Sequence, residues 1–336
     1  MTSTRRPAYH ATALLLQLAI AMPAASLDGS REDVRLFVDE VTTRNGLDRA
    51  WVERTLAEAR LQPRIIELMS RPAERTKPWH EYRDHFITAE RVGAGVEFWG
   101  AHRERLAAVE RETGVPAHVI VGILGVETYF GRITGSFRVL DALSTLAFDY
   151  PPRSDYFRAE LEQFLLLSRE EDVPPLAAKG SYAGAMGYPQ FMPRSYRAYA
   201  VDGDDDGRRD LWGNWDDVIA SVANYLVLHD WRAGEPVLAG AQLPFPDDAV
   251  DLAAGSIKTN ETVGSLRGKG LEFDTELPDD APALFIEVAG DDGPERRAGF
   301  HNFSVITRYN RSVLYALAVN DLGEAIAARL PAEPPS

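Results

Sequence analysis

Apolar residues recur at three- and four-residue intervals through most of this chain, and that spacing commits it to a helical body. Val34, Phe37, Val38 and Val41 share one helix face, and Asn45-Gly46 punctuates its end. Residues 50–61 and 64–70 read as two further short helices, followed by a turn-rich link over 71–79. Residues 92–113 carry one long amphipathic pattern, which Gly114 ends. Pro116 suits the first turn of the next helix, and Gly131 suits its C-terminal stop. Residues 155–168 form another, broken at 172–175. Residues 217–230 place Val218, Val222, Tyr225 and Leu226 on one side, and Ser312 caps a last helix that runs to about residue 330.

One stretch departs from this pattern. Residues 235–303 are rich in Gly, Pro and Asp, with short apolar runs such as ALFIEV at 283–288. They read as a small, mostly β insertion between helical stretches. The expected fold class is therefore mainly α, in the α+β sense. No internal repeat is visible, and residues 331–336 read as a disordered tail.

Charge narrows the function classes. With 51 acidic against 36 basic residues the formal net charge is −15, which speaks against nucleic acid or an anionic membrane as partner. There is no cysteine, so disulfides, thiol catalysis and thiolate metal sites are excluded, and so is a lipid attached to a cysteine after a signal. Arg5 and Arg6, the apolar run at 11–21 and the small residues Ala24-Ala25-Ser26 read as an export signal cleaved near residue 26. That run is too short to span a bilayer, and no integral membrane segment is expected in the mature chain. The expected location is the periplasm.

Glu127 is the most informative residue. It follows Ile120, Ile123 and Leu124 at i, i+3, i+4 and i+7, so it shares their apolar face. It also lies in the last turn, near the negative end of the helix dipole. Both placements favour the protonated carboxyl, the form that glycoside cleavage needs in order to protonate a leaving oxygen. A buried structural pair with an arginine such as Arg132 satisfies the same spacing.

The motifs around Glu127 separate these readings. The stretch GILGVETYFGR at 122–132 resembles the catalytic-glutamate motif of the lytic transglycosylase B family, glycoside hydrolase family 103. The resemblance continues through GSYAGAMGYPQFMPRSYRAYAVD at 180–202, SVANYLVLHDW at 221–231 and HNFSVITRYNRSVLYALAV at 301–319, with KPWHEYR at 77–83 upstream. It implies a lysozyme-like helical core, divided here as an N-terminal helical domain over 27–106, a core over 107–234, the β insertion over 235–303 and a completing helix over 304–336. It also implies the substrate, the glycan strands of peptidoglycan. Glu127 protonates the bond between N-acetylmuramic acid and N-acetylglucosamine, then acts as base while the C6 hydroxyl of the muramic sugar attacks C1. The product is a 1,6-anhydromuramoyl end, and no cofactor is needed. Most glycosidases use two carboxylates. Asp141, Asp149 and Asp155 lie nearby in sequence, but none stands in an equivalent motif.

By the same resemblance, Ser181 and Gln190 offer hydrogen bonds to sugar or acetamido groups. Tyr82, Tyr225, Tyr309 and Tyr315 line the cleft, and Asn310 binds polar sugar groups near the scissile bond. Arg153 meets a lactyl or peptide carboxylate. The family often shows two adjacent arginines there, where this chain has Pro152-Arg153. Residues 184–193 are too rich in Gly and Pro for a helix and read as a loop walling the cleft. Nothing in the sequence nominates a protein partner among wall-synthesis or division proteins.

Five aspartates between Asp202 and Asp210 resemble the first part of an EF-hand loop. Asp202, Asp204 and Asp206 stand at positions 1, 3 and 5, Gly207 at 6, and Arg208 at 7, where a carbonyl ligates. Oxygen ligands at this spacing favour Ca2+ in a structural role. Position 12 is Gly213 instead of glutamate, so the expected closing ligand is Asp216, with Asp217 and Asp210 as the other acids within reach.

Overall fold

The computed structural model describes residues 25–70, 77–243 and 257–331. Residues 1–24 of the expected export signal and residues 332–336 of the tail lie outside them. The chain opens with β1 (Ala25–Ser26), α1 (Glu32–Asn45), α2 (Arg49–Ala57), β2 (Arg60–Leu61), α3 (Pro63–Ser70), α4 (Trp79–Phe86), α5 (Ala89–Ala101) and α6 (Arg103–Thr113). Next come α7 (Ala117–Thr128), β3 (Phe137–Arg138), α8 (Val139–Asp149), a 3-10 turn (Pro151–Arg153), α9 (Ser154–Glu170), β4 (Lys179–Gly180), α10 (Pro193–Tyr199) and α11 (Trp215–Leu228). The remainder is β5 (Leu238–Gln242), β6 (Glu261–Thr262), α12 (Val263–Gly268), β7 (Glu272–Phe273), β8 (Pro282–Ala289), β9 (Pro294–Phe300), α13 (His301–Tyr309) and α14 (Val313–Ala327). No helix among the described residues is long and apolar enough to cross a membrane.

The helix signals act where the sequence puts them. Val34, Phe37, Val38 and Val41 are the buried face of α1, and Gly46 closes it at φ 67°. Ser312 caps α14, its hydroxyl accepting the Tyr315 amide. The single helix expected over 92–113 is two. The backbone leaves the helix at His102 (φ −117°, ψ 23°), whose ring packs on Phe98 and Trp215. This bend lets α5 lie against α14 while α6 lies against α11. Of the expected turn-rich link, residues 71–76 lie outside the described residues, and Trp79 at its end opens α4.

The helix that carries Glu127 is apolar on every side, and Val119, Ile120, Val121, Ile123 and Leu124 have no exposed surface. Its main neighbour is α14, and the two backbones meet at glycines. A Cβ at Gly122 would sit 2.2 Å from the Val319 carbonyl oxygen, and one at Gly323 would sit 2.2 Å from that of His118. α7 stops at Thr128, three residues before the expected Gly131. Tyr129, Phe130 and Gly131 are all left-handed, with φ of 51°, 56° and 80°. Two non-glycine residues hold that conformation because their rings are packed. Tyr129 lies between the Arg91 and Arg132 guanidinium groups, and Phe130 stacks on Phe98.

One hydrophobic cluster runs from Leu27 to Ile326, without a break at 106/107. Among the described residues the β segment forms a five-stranded antiparallel sheet, ordered β6-β8-β9-β5-β7. The apolar run in β8 is continuous because both its faces are covered. Leu284 and Ile286 pack on the helical body. Ala283 and Phe285 pack with Val263, Leu266 and Leu271 from α12 and the turn after it. The sheet so holds α13, and with it the strand-like turn at Asn310 that leads into α14.

Candidate active site

Glu127 sits in the last turn of α7, half-buried, and accepts a 2.6 Å hydrogen bond from the Tyr315 hydroxyl on α14. The glycine crossing of α7 and α14 sets that distance. Arg132 does not pair with Glu127. It lies over Tyr129 and reaches Glu97 at 4.0 Å.

From Tyr315 the rings continue outward. Tyr309 stacks on Tyr315 at 6.4 Å, Tyr225 lies 4.7 Å from Tyr309, and Phe191 contacts both outer tyrosines. Tyr309 donates to the Pro189 carbonyl and Tyr225 to that of Arg308, each at 2.7 Å. Burial, and after it the nearby Glu127 carboxylate, pushes the Tyr309 and Tyr315 phenols well above their ordinary range. Both are therefore neutral donors at any pH at which the protein works. Tyr82, buried beside Trp79 and Phe86, is close enough to Tyr315 to add to that effect.

The Gly- and Pro-rich loop at 184–193 is tied to the end of α7 and the start of α11. The Thr128 hydroxyl, one residue from Glu127, donates to the Tyr188 carbonyl at 2.9 Å, and Tyr188 stacks on Trp215 at 4.2 Å. Ser181 accepts the amides of Ala183 and Ala185, which leaves its hydroxyl proton to offer a ligand. Gln190, left-handed at φ 53°, donates its side-chain amide to Thr134 and Gly187 carbonyls, so its own carbonyl oxygen is the group left for a ligand. Asn310 follows Tyr309 and accepts the Ser312 amide on its backbone. Arg153 is not joined to this cluster. Its guanidinium lies over Tyr156 and Phe157 at the start of α9.

Three groups here were not singled out from sequence. Thr128 and Tyr188 lie inside the quoted motifs, but only the fold pairs them. Arg91 is 9% exposed, has one guanidinium nitrogen without a hydrogen-bond partner, and sits between the Phe86 and Tyr129 rings. Nothing in the α5 pattern distinguishes it from a solvated arginine.

The aspartate loop lies between α10 and α11. The carboxylates of Asp202, Asp204 and Asp217 come within 4.8 Å of one another, an all-oxygen set that fits a hard cation. The expected closing residue, Asp216, is not in that group; it turns toward Arg105 at 4.0 Å. The reason is helix geometry. Adjacent residues in the first turn of α11 point about 100° apart, and it is Asp217 that faces inward, fully buried, accepting the Gly203 and Asp210 amides. Asp206 is also outside the group, and accepts the Arg208 amide instead. Asp202 accepts the amides of Asp206 and Gly207 and so shapes the turn.

Comparison with known proteins identifies the family and the fold. The family model described as the transglycosylase SLT domain matches residues 29–324. The membrane-bound lytic murein transglycosylase B of Escherichia coli (strain K12) is 42% identical over 302 residues, covering 87% of this chain and 81% of that protein. The catenated lytic transglycosylase SltB1 from Pseudomonas aeruginosa is 48% identical with a TM-score of 0.84, covering 89% of this chain and 98% of that one. The Escherichia coli lytic transglycosylase Slt35, solved in complex with calcium, is 39% identical with a TM-score of 0.83, covering 93% and 97%. The lysozyme-like, mainly helical fold expected from the motifs is the one these relatives share. Matched in sequence and in fold over most of its length, the chain belongs to the transglycosylase SLT domain family, among the lytic murein transglycosylases of type B.

Proposed function

We propose that the protein cleaves the bond between N-acetylmuramic acid and N-acetylglucosamine in peptidoglycan, with Glu127 as its single acid and base. The observation that carries this reading is the Glu127 carboxyl at the end of an apolar helix, held by a buried tyrosine and faced by a wall of aromatic rings. In the first half-reaction Glu127 gives its proton to the leaving O4 as the bond from C1 breaks. In the second, the carboxylate takes the proton of the C6 hydroxyl while O6 bonds to C1. The proton count closes and water is not consumed. Tyr315 steadies the carboxylate between the two steps.

A one-carboxyl mechanism is supported by what the neighbouring acids do. Asp141 is bound by Arg138, Gln62 and the Arg60 amide, and Asp149 by Arg31. Ser181, Gln190, Asn310 and the tyrosines Tyr82, Tyr225, Tyr309 and Tyr315 form the sugar cleft. Calcium, held by Asp202, Asp204 and Asp217, would neutralise the loop before α11 and stiffen it; no reaction step passes through it. The site of action is the periplasm, in keeping with the charged and apolar pattern of the first 26 residues.

The test is product analysis of digested sacculi. Ends lighter than reducing ends by one water are expected with wild type, without added metal or nucleotide. Glu127→Gln should keep the fold and remove nearly all turnover, since an amide neither gives nor takes the proton. Reducing ends alone would make the protein a hydrolytic muramidase, and substantial turnover by Glu127→Gln would remove Glu127 from its role.

A further inference from the structure

The small sheet reaches two elements of the cleft through one strand. On β9, Glu295 and Arg297 stand two residues apart and so share a face. The Glu295 carboxylate accepts the Trp79 indole N–H at 3.0 Å, which docks α4 and the Tyr82 it carries. The Arg297 guanidinium lies 5.9 Å over the Trp79 ring and donates to Glu295 at 3.4 Å. It also grips Asp321 on α14 with both arms, at 2.5 and 2.7 Å. The Arg297 side chain is 16% exposed and that of Asp321 15%. A guanidinium fork on a carboxylate, largely out of water, has a fixed geometry. Setting register is the best-attested use of such a buried pair.

What the pair fixes follows from α14. Tyr315 and Asp321 are six residues apart on this helix, about 9 Å along its axis and about 120° around it. Tyr315 turns toward α7 and Glu127, so Asp321 holds α14 from another side. The contact of α14 with α7 is glycine on backbone, Gly122 against Val319 and Gly323 against His118. Such a contact is close, but at those points no side chain keys the roll of one helix on the other. A tyrosine hydroxyl sits at the far end of a long side chain. A small roll of α14 therefore becomes a larger displacement of the Tyr315 oxygen, against a bond of 2.6 Å.

We propose that Arg297 is a positioning residue: by pairing with Asp321 it fixes the roll of α14 on α7, and so keeps the Tyr315 hydroxyl within hydrogen-bond distance of Glu127. This gives the sheet a part in turnover, although no atom of the Arg297–Asp321 pair belongs to the cleft. Its effect on turnover rests on the role of Glu127 given above. Because the pair acts through Tyr315, its loss falls on kcat and leaves sugar binding nearly as it was.

The experiment uses the full chain and glycan strands purified from sacculi. Arg297→Met/Asp321→Leu replaces both partners by apolar side chains, which avoids stranding one buried charge. It should lower kcat by about tenfold with little change in KM, the lower end of what losing the Tyr315 hydrogen bond should cost. Asp321→Asn, which keeps the size and one acceptor oxygen, is the second variant should the first not fold, and should lower kcat by about threefold. Each replacement is then made in a Tyr315→Phe background, where the further loss should be under about twofold, since the hydroxyl being positioned is gone. A full, multiplicative loss in that background overturns the proposal, as a general structural role gives that result. Wild-type kcat in a folded variant also overturns it, and so does a rise in KM with kcat kept. Crystal structures of wild type and the variant read the geometry without substrate. The Tyr315–Glu127 separation should open beyond hydrogen-bond range in the variant, and an unchanged separation overturns the proposal. If wild type released no anhydro ends, the transglycosylase reading would fail while the crystal structures still decided what Arg297 positions.

Discussion

Replacing Asp217 and Asp216 separately tests which acid closes the aspartate loop. Asp217 has no exposed surface and accepts the Gly203 and Asp210 amides at 2.6 and 2.7 Å. Asp217→Ala leaves two amides without their acceptor, at about 1–3 kcal/mol each, or roughly 2–6 kcal/mol together. At about 2 °C per kcal/mol for a chain of this size, Tm should fall by roughly 4–12 °C. Asp216→Ala removes one half-exposed pair at 4.0 Å, worth under about 1 kcal/mol. Calcium at 100 times its dissociation constant adds about 2.7 kcal/mol to wild type. Asp216→Ala should keep that increment, whereas Asp217→Ala and Asp202→Ala should lose it. The increment should also depend on pH. Burial first, then Asp204 and Asp202, raises the Asp217 carboxyl against the pull of its two amide bonds. An acid with a raised folded value favours folding below its unfolded value, and that contribution disappears as pH rises through the folded one. The empty loop is then least favourable near neutrality, where calcium should raise Tm most. Calorimetry of metal-free protein with and without calcium, at neutral and acidic pH, is the assay. A calcium shift that survives Asp217→Ala and vanishes in Asp216→Ala would refute the reasoning.

Gly122→Ala should destabilise the protein by about 1–3 kcal/mol and lower turnover, because the new methyl meets backbone at the α7–α14 crossing that sets the Glu127–Tyr315 distance; unchanged Tm and activity would show that the crossing can yield. Tyr315→Phe should lower kcat by roughly 10- to 100-fold with little change in KM, the worth of one hydrogen bond to a charged group, and a pure KM effect in steady-state kinetics would reassign Tyr315 to sugar binding. Thr128→Val should release the loop that carries Ser181 and Gln190, lowering kcat/KM by about tenfold for a stability loss near 1 kcal/mol; wild-type kinetics would mean the Tyr188–Trp215 stack holds the loop alone.

Local pattern alone was enough for much of this protein. The 3–4 spacing, the caps at Ser312 and Gly46, and the stop at Gly114 depend on neighbours within a few residues, so the helices were legible. Glu127 stood out because an acid on an apolar helix face contradicts its surroundings, and the fold leaves it half-buried in the last turn of α7, against Tyr315. Other features required the chain to be folded. The bend at His102 arises because α5 and α6 answer to different partners, α14 and α11, which no window of residues 92–113 contains. The early end of α7 depends on Arg91, brought from α5 onto the ring of Tyr129 beside the local Arg132. Asp216 and Asp217 are chemically alike and adjacent, so only the rotation of α11 against the loop decides which one faces Asp202 and Asp204.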